Sequence, residues 1–405
     1  MERARNAFIS LLRAGLWGRD PLREGFLRLE NGEWDEVFRM SGRQTVTGIV
    51  FDGICRLPDD LLPSDKVFAK WVAAATAMEN RNARMNSALK DLVKIFVDNG
   101  LHPVLQKGQG IAELYPDPSH RECGDIDLYF PSDRSLSLSK GHSSEVAIDC
   151  SFDKLGGRAD EIVRSKGLDV SRMPDGSLSY EWQGFEVEHH PMIVDLSGPF
   201  QKRWGRTLTD DPGTGPSSLA DGLMVPSPEL NALMLNVHIL KHAMGKGVGL
   251  RQMCDLAMVY HRISESGGRQ EMGERIFCLY RRAWIQKWSR LLHSFLVEVI
   301  GLPEDELPYS EMIVPVGPLL RIVEDGGNFG QYRSRRFGKD HSRLSSGLLD
   351  RGASVPELVE GSMRGKLATA GMFVRRAGFS LRFAPNEAFW TVVNLAVGQF
   401  KSRRK

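Results

Sequence analysis

Apolar positions follow two periods along this chain, and the changes of period mark its elements. Phe8, Leu11, Leu12 and Leu16 recur every three or four positions, which predicts an amphipathic helix ended by Asp20-Pro21. A long helix is expected from Ser64 to about Asp98, with Asp65 near its start and Gly100 after its end. Leu89, Leu92, Val93 and Phe96 form its apolar stripe. Asn80, Arg81, Asn82 and Arg84 lie at its middle and read as a solvated face, since charged helix faces usually meet water. Residues 1–100 are therefore mostly helix.

The period then shortens. Residues 101–106 read as a buried strand, followed by a turn at Gly108 and a helix over Gln109–Leu114. Tyr115-Pro116-Asp117-Pro118 ends that helix, because proline removes a donor and restricts its predecessor. The loop Ser119–Cys123 leads to a strand over Asp125–Phe130. Helix is expected within 133–167, best over Ala159–Ser165. Leu178–Trp182 and Phe185–His190 alternate on either side of Gln183-Gly184, a hairpin signal that puts Glu186, Glu188 and His190 on one face. Asp210–Pro228, rich in Gly, Pro, Ser and Asp, reads as a boundary or surface loop. Ser227, Pro228 and Glu229 open a helical stretch to Tyr260 that restarts after a glycine-rich break. One helix is expected over Ile276–Ile300, closed by Gly301-Leu302-Pro303. Asp325–Gly330 reads as a loop, Tyr332–Arg343 as a basic surface segment containing Arg335 and Arg336, and Phe389–Phe400 as a last helix before the basic tail Lys401–Lys405 with Arg403 and Arg404.

Composition narrows the class. Of 405 residues, 41% are hydrophobic and 26% charged, which describes a folded protein rather than a disordered one. A net charge of +2 does not imply a general nucleic-acid binder. No basic stripe with interleaved aromatics is legible, so a nucleic-acid acceptor is not expected. Cys55, Cys123, Cys150, Cys254 and Cys278 are odd in number and never in CxxC spacing, against a disulfide framework or a structural zinc site. The N-terminus reads as an amphipathic helix rather than a signal peptide, and no stretch is apolar for long enough to span a bilayer. The expected location is the cytoplasm.

The chemistry concentrates in residues 104–130. Asp125 and Asp127 are two apart on a strand and project side by side, where they repel unless a cation or a proton lies between them. Lys107-Gly108-Gln109-Gly110 opens a helix whose free N–H groups favour an anion such as phosphate. A dication site facing a phosphate site suggests metal-assisted phosphoryl or nucleotidyl transfer. Elsewhere, His238 and His242 are four apart on one helix, a spacing that suits either metal ligation or packing. Arg251 and Asp255 have ion-pair spacing, with a structural bridge and a nucleotide contact both open.

The order strand, glycine turn and helix, Asp-x-Asp strand, then a later strand with a third acid resembles the nucleotidyltransferase superfamily typified by DNA polymerase beta. LQKGQGIAELYPDPSHRECGDIDLYF, FEVEHHPMIVDL and HILKHAMGKGVGLRQMCDLAMVY more closely resemble an uncharacterised bacterial nucleotidyltransferase-like group with a Lys-Gly turn and a Gly-Asp-Ile-Asp motif, over roughly residues 100–260. The resemblance implies an α+β fold: a mixed-sheet nucleotidyltransferase core over 101–210, a helical region over 1–100, a helical domain over 225–300 packed on the core, and a helix-and-loop extension over 301–405. It implies Mg²⁺-dependent transfer of a nucleoside monophosphate from an NTP such as ATP to a hydroxyl of a small molecule or protein. Two Mg²⁺ (or Mn²⁺) ions would sit on Asp125, Asp127 and Glu188, with Glu188 favoured over Glu186. Lys107, Gly108, Gln109, Arg121 and Gly124 would serve the nucleotide, Arg121 by reaching a phosphate or by fixing the Asp loop. His190, His238, Lys241, His242, Arg251 and Asp255 are the candidate substrate pocket. Two departures stand out: the turn is Gly108-Gln109 where the superfamily usually has Gly-Ser or Gly-Gly, and the span from Gly108 to Asp125 is long. The rival expectations are a catalytically inactive nucleotide sensor or assembly partner with the same fold, and the modifying half of a toxin–antitoxin pair.

Overall fold

The computed structural model describes residues 2–402 except 22, 27–28, 132–151, 174–175, 211–214, 219–222, 246 and 327–375. The predicted basic segment 332–343, the loop residues 327–330 and the tail residues 403–405 lie outside the described residues, as does the first part of 133–167.

Four helices open the chain: α1 (Glu2–Trp17), α2 (Asn31–Gln44), α3 (Thr47–Ile54) and α4 (Asp65–Asp98). α1 and α3 touch backbone to backbone. A Cβ on Gly15 would lie 1.8 Å from the Ile49 carbonyl oxygen, and one on Gly53 would lie 2.1 Å from that of Leu11. No side chain fits such contacts, so glycine is required at both crossings. α2 and α3 are not among the helices predicted individually from the sequence; α2 buries Trp34, Val37, Ser41 and Gln44 at helical spacing.

The sheet has seven strands: β1 (Val104–Gln106), β2 (Ile126–Tyr129), β3 (Ser171–Arg172), β4 (Leu178–Trp182), β5 (Phe185–His189), β6 (Ser217–Ser218) and β7 (Met224–Val225), in the order β3-β4-β5-β2-β1-β7-β6. It is mixed: β1 runs antiparallel to β2 but parallel to β7, and β2 runs parallel to β5. The glycine-rich stretch read as a boundary loop is therefore partly built into the sheet. Strand β2 is central and obeys the two-residue period. Ile126 and Leu128 join Leu105, Phe185 and Val187 in a core under Met85, Leu89, Leu92 and Phe96 of α4. Full burial contributes roughly 1.5–3 kcal/mol per large aliphatic or aromatic side chain. Asp127 and Tyr129 take the other face, where Tyr129 enters a second core. Short helix α5 (Gly108–Ala112) follows β1, and α6 (Phe152–Ser165) and α7 (Pro199–Gly205) flank the hairpin.

The remaining helices are α8 (Pro228–Met244), α9 (Leu250–Glu265), α10 (Arg269–Ala283), α11 (Gln286–Phe295), α12 (Gly317–Gly326), α13 (376–383) and α14 (Pro385–Ser402). Ser227 caps α8, accepting from the Leu230 N–H. The stretch expected as one helix over Ile276–Ile300 is two helices and a terminal π turn. Trp284 adopts left-handed φ 62° and breaks it, with its N–H and that of Ile285 returned to the Arg281 and Tyr280 carbonyls. The N-terminal helices and α8–α11 share one core, so residues from both ends of the chain enclose the sheet's second face.

Candidate active site

Parallel pairing of β2 with β5 sets Asp127 opposite Glu188, with Ile126 opposite Val187 and Leu128 opposite His189. The His190 N–H donates to the Leu128 carbonyl at 2.8 Å, which extends the register one residue further. Glu188 and His190 share a face, so ligand atoms of Asp127, Glu188 and His190 all lie within 4.8 Å of one another. His190 Nε2 is 2.6 Å from Asp127 Oδ1 and 3.4 Å from Glu188 Oε2, and Lys107 Nζ is 3.2 Å from the same Asp127 oxygen. Asp127 is buried, whereas Glu188 and His190 keep partial access to water. Asp125 lies one residue ahead of β2, half-buried. Glu186, the competing acid, is exposed and accepts from the Ser179 hydroxyl.

The electrostatics follow from crowding. Burial opposes ionisation of Asp127, but the Lys107 ammonium and the His190 hydrogen bond outweigh it and hold the carboxyl well below its ordinary range. Burial and then the Asp127 charge push Glu188 up to about 7. Asp127, followed by burial, raises Asp125. Burial works against charge on Lys107 and His190, yet the surrounding carboxylates raise both. The Asp127 and Glu188 carboxylates thus share the cationic side chains of Lys107 and His190, and Asp125 acts on Glu188 and Lys107 by its charge. Two carboxylates and one imidazole of this kind could hold a divalent cation, His190 serving as the nitrogen donor once it is neutral.

The turn beside this cluster is shaped by left-handed backbone. Lys107 has φ 53° and Gly108 has φ 49°. The second suits glycine; the first is unusual for lysine. Gln109 is 6% exposed, and neither its side-chain nitrogen nor its oxygen has a hydrogen-bond partner among the described residues. Gly124 is exposed, and its carbonyl accepts from Arg81 Nη2 at 2.9 Å.

The loop that delivers Asp125 and Asp127 is clamped from three helices. Arg121 is 3% exposed and grips Asp255 of α9 with Nε and Nη2 at 2.9 and 2.7 Å, while the Tyr115 hydroxyl donates to the same carboxylate at 2.7 Å. Arg251 donates instead to the Glu122 carbonyl at 2.7 Å. The Arg251–Asp255 pair suggested by spacing does not form, because Asp255 is already occupied by Arg121. Asn82 of α4 donates to the Ser119 and Arg121 carbonyls at 2.8 and 2.9 Å. His120 lies between Asp52 of α3 and Glu79 of α4, at 2.6 and 2.9 Å. The solvated face assigned to Asn80–Arg84 is therefore corrected: Asn82 is 4% exposed and Arg81 reaches the loop. Asn82 falls four residues after Met78 and three before Met85, in register with the buried stripe, and that was the available signal.

The remaining pocket candidates divide. His238 and His242 stack edge to face with ring centres 4.4 Å apart. Burial, then the Lys107 charge, with smaller effects of His242, His190 and Arg251, holds His238 well below the ordinary imidazole value, so it is neutral beside the cluster. Lys241 points elsewhere: Nζ donates to Ser197 Oγ at 2.7 Å and lies 3.3 Å from Asp195 and 3.7 Å from Glu387 of α14.

A family model described as uncharacterised nucleotidyltransferase matches residues 30–140 and 148–277, more than half of the chain. The chain belongs to this nucleotidyltransferase family. The match reaches back through α2, α3 and α4, so it includes the helices that clamp the Asp loop. Among solved structures, an antigenic nucleotidyltransferase-like protein from Paracoccidioides brasiliensis is similar at 15% identity and a TM-score of 0.30, over 54% of this chain and 93% of that chain. No curated protein matches. Among the described residues, no helix is long and apolar enough to cross a membrane.

Proposed function

We propose that the chain transfers a nucleoside monophosphate from an NTP to a hydroxyl acceptor, with divalent-cation dependence. The observation that carries this reading is the in-register apposition of Asp127 and Glu188, with Lys107 and its glycine turn at the same spot. Asp125, Asp127 and Glu188 would hold Mg²⁺ or Mn²⁺, whose charge, when bound, would offset that of the triphosphate at the reacting phosphorus. Lys107 and the N–H groups after Gly108 bind phosphate oxygens. Glu188, set opposite Asp127 by the strand register, would help to take the hydroxyl proton. The acceptor oxygen then bonds to the α-phosphorus, the bond to the β-phosphate oxygen breaks, and pyrophosphate leaves. Neutral His238 would help to orient the acceptor.

A second reading, a nucleotide sensor without turnover, draws on Gln109: the turn lacks a hydroxyl, and its buried amide has no partner among the described residues. Incubation with each α-³²P-labelled NTP, Mg²⁺ or Mn²⁺ and a cell lysate separates the two. Label on an acceptor with wild type and not with Asp125→Asn/Asp127→Asn supports transfer. NTP binding without labelling supports the sensor.

A further inference from the structure

A second surface, built from parts that the sequence keeps far apart, lies at the contact of α7 with the α10–α11 break. Phe200, Arg203 and Trp204 of α7 face Arg282 and Trp284 across a groove of about 390 Å³. The Arg282 guanidinium lies 5.2 Å over the Trp204 ring and ties the two sides together. Phe200 is 81% exposed and Trp284 62% exposed, a large apolar area to leave in water. Trp284 also occupies the left-handed C-terminal position of α10, where glycine is the low-cost residue. A bulky, strained and exposed tryptophan is costly to the folded state, and such costs mark function.

Two arginines, Arg203 and Arg282, line the groove with these rings, and among the described residues no acidic side chain does. Arg203, Arg206, Arg281, Arg282 and Lys287 are exposed, and none has a carboxylate partner among the described residues. Aromatic faces interleaved with unpaired cations match a chain that carries stackable planar groups and a negative charge at each repeat. We propose that this surface binds single-stranded nucleic acid, its bases stacking on Trp284 and Phe200 and its phosphates on the flanking arginines. An acidic peptide would satisfy the cations but leave the rings unused. The surface supplies the basic, aromatic-bearing stripe that is absent from any one stretch of the sequence. It goes beyond the transfer reaction, since binding here requires neither NTP nor cation.

The test is fluorescence anisotropy of the full chain with labelled single-stranded oligo-U and oligo-dT of about 12 nucleotides, a duplex of equal length, and a poly-glutamate peptide. Binding of the single strands should weaken about tenfold between roughly 50 and 200 mM salt. Trp284→Gly should weaken it about tenfold or more while the melting temperature holds or rises, because glycine relieves the left-handed strain. Arg203→Gln/Arg282→Gln should weaken it and flatten the salt dependence. Asp127→Asn should bind as wild type does, which separates failure of this proposal from failure of the transferase reading. The proposal is overturned by no single-strand binding at low salt, by equal affinity for the duplex, by undiminished binding in Trp284→Gly, by loss of binding in Asp127→Asn, or by binding of poly-glutamate alone.

Discussion

Asp127 and Glu188 face each other from neighbouring parallel strands, and the same Asp127 oxygen is shared by Lys107 and His190. The charged groups of the site therefore act as a unit, and altering one changes the others.

Asp127→Asn should reduce nucleotidyl transfer by about 10²-fold or more, since charge stabilisation at the reacting phosphorus is usually the largest catalytic contribution. Glu188→Gln should lower turnover as well, with a smaller effect on NTP binding. Rates with Mg²⁺ and Mn²⁺, paired with calorimetric titration of NTP, separate the two. Undiminished turnover in Asp127→Asn would remove the site from consideration.

Removing one partner of the buried Arg121–Asp255 pair should cost about 3–5 kcal/mol, because the other charge is left buried and unpaired. Arg121→Met/Asp255→Leu together should cost much less than the sum of the two single changes. Urea unfolding of the four proteins measures the coupling; additive losses would mean that the pair is not buried together.

Asn82→Leu keeps most of the volume on α4 but abandons two carbonyls in the Asp loop. A stability loss of about 1–3 kcal/mol is expected. Transfer should fall too, through the position of Asp125. Melting curves and turnover together test this, since a purely structural Asn82 would change only the first.

His120 sets a pH dependence. Its hydrogen bond to Asp52 is the main cause that raises its pKa to about 9, against burial and with help from Glu79. The folded protein thus holds a proton that the unfolded chain releases near 6.5. The resulting stability is fully present below pH 6.5 and is lost as pH rises through about 9, an effect on the order of 1–3 kcal/mol. The lower part is favoured because Glu79 and Asp117 are about half exposed. Burial raises the Asp52 carboxyl from its ordinary acidic value. Denaturation at pH 6 and pH 9.5 should show the loss in wild type and a flatter profile in His120→Gln; equal slopes would refute the assignment.

Much of the site was legible because it is local. The Lys-Gly turn, Asp125-Ile126-Asp127 and the Gln183-Gly184 hairpin each depend on residues a few positions apart, where period and turn chemistry operate. Glu188 as a candidate third acid rested on resemblance; the register of β2 with β5 sets it opposite Asp127. The true partner of Asp255 was hidden because a spacing of four suggests Arg251, whereas Arg121 arrives from a distant loop. The break at Trp284 was hidden by an amino acid that ordinarily avoids left-handed backbone. The short strand Met224–Val225 was hidden in turn-rich sequence, since its place in the sheet is set by β1 rather than by its own alternation.

Parallel strands cannot be joined by a tight turn, so Asp127 and Glu188 meet only after a crossover that includes α6 and the β3–β4 ribbon has closed. Pairings of such sequence separation come at a high loop-closure cost and form slowly. A chain emerging from the ribosome therefore carries Asp125 and Asp127 well before it carries a site. If Asp127 and Glu188 hold a divalent ion as proposed, binding would appear only with the full sheet and would report on completed folding.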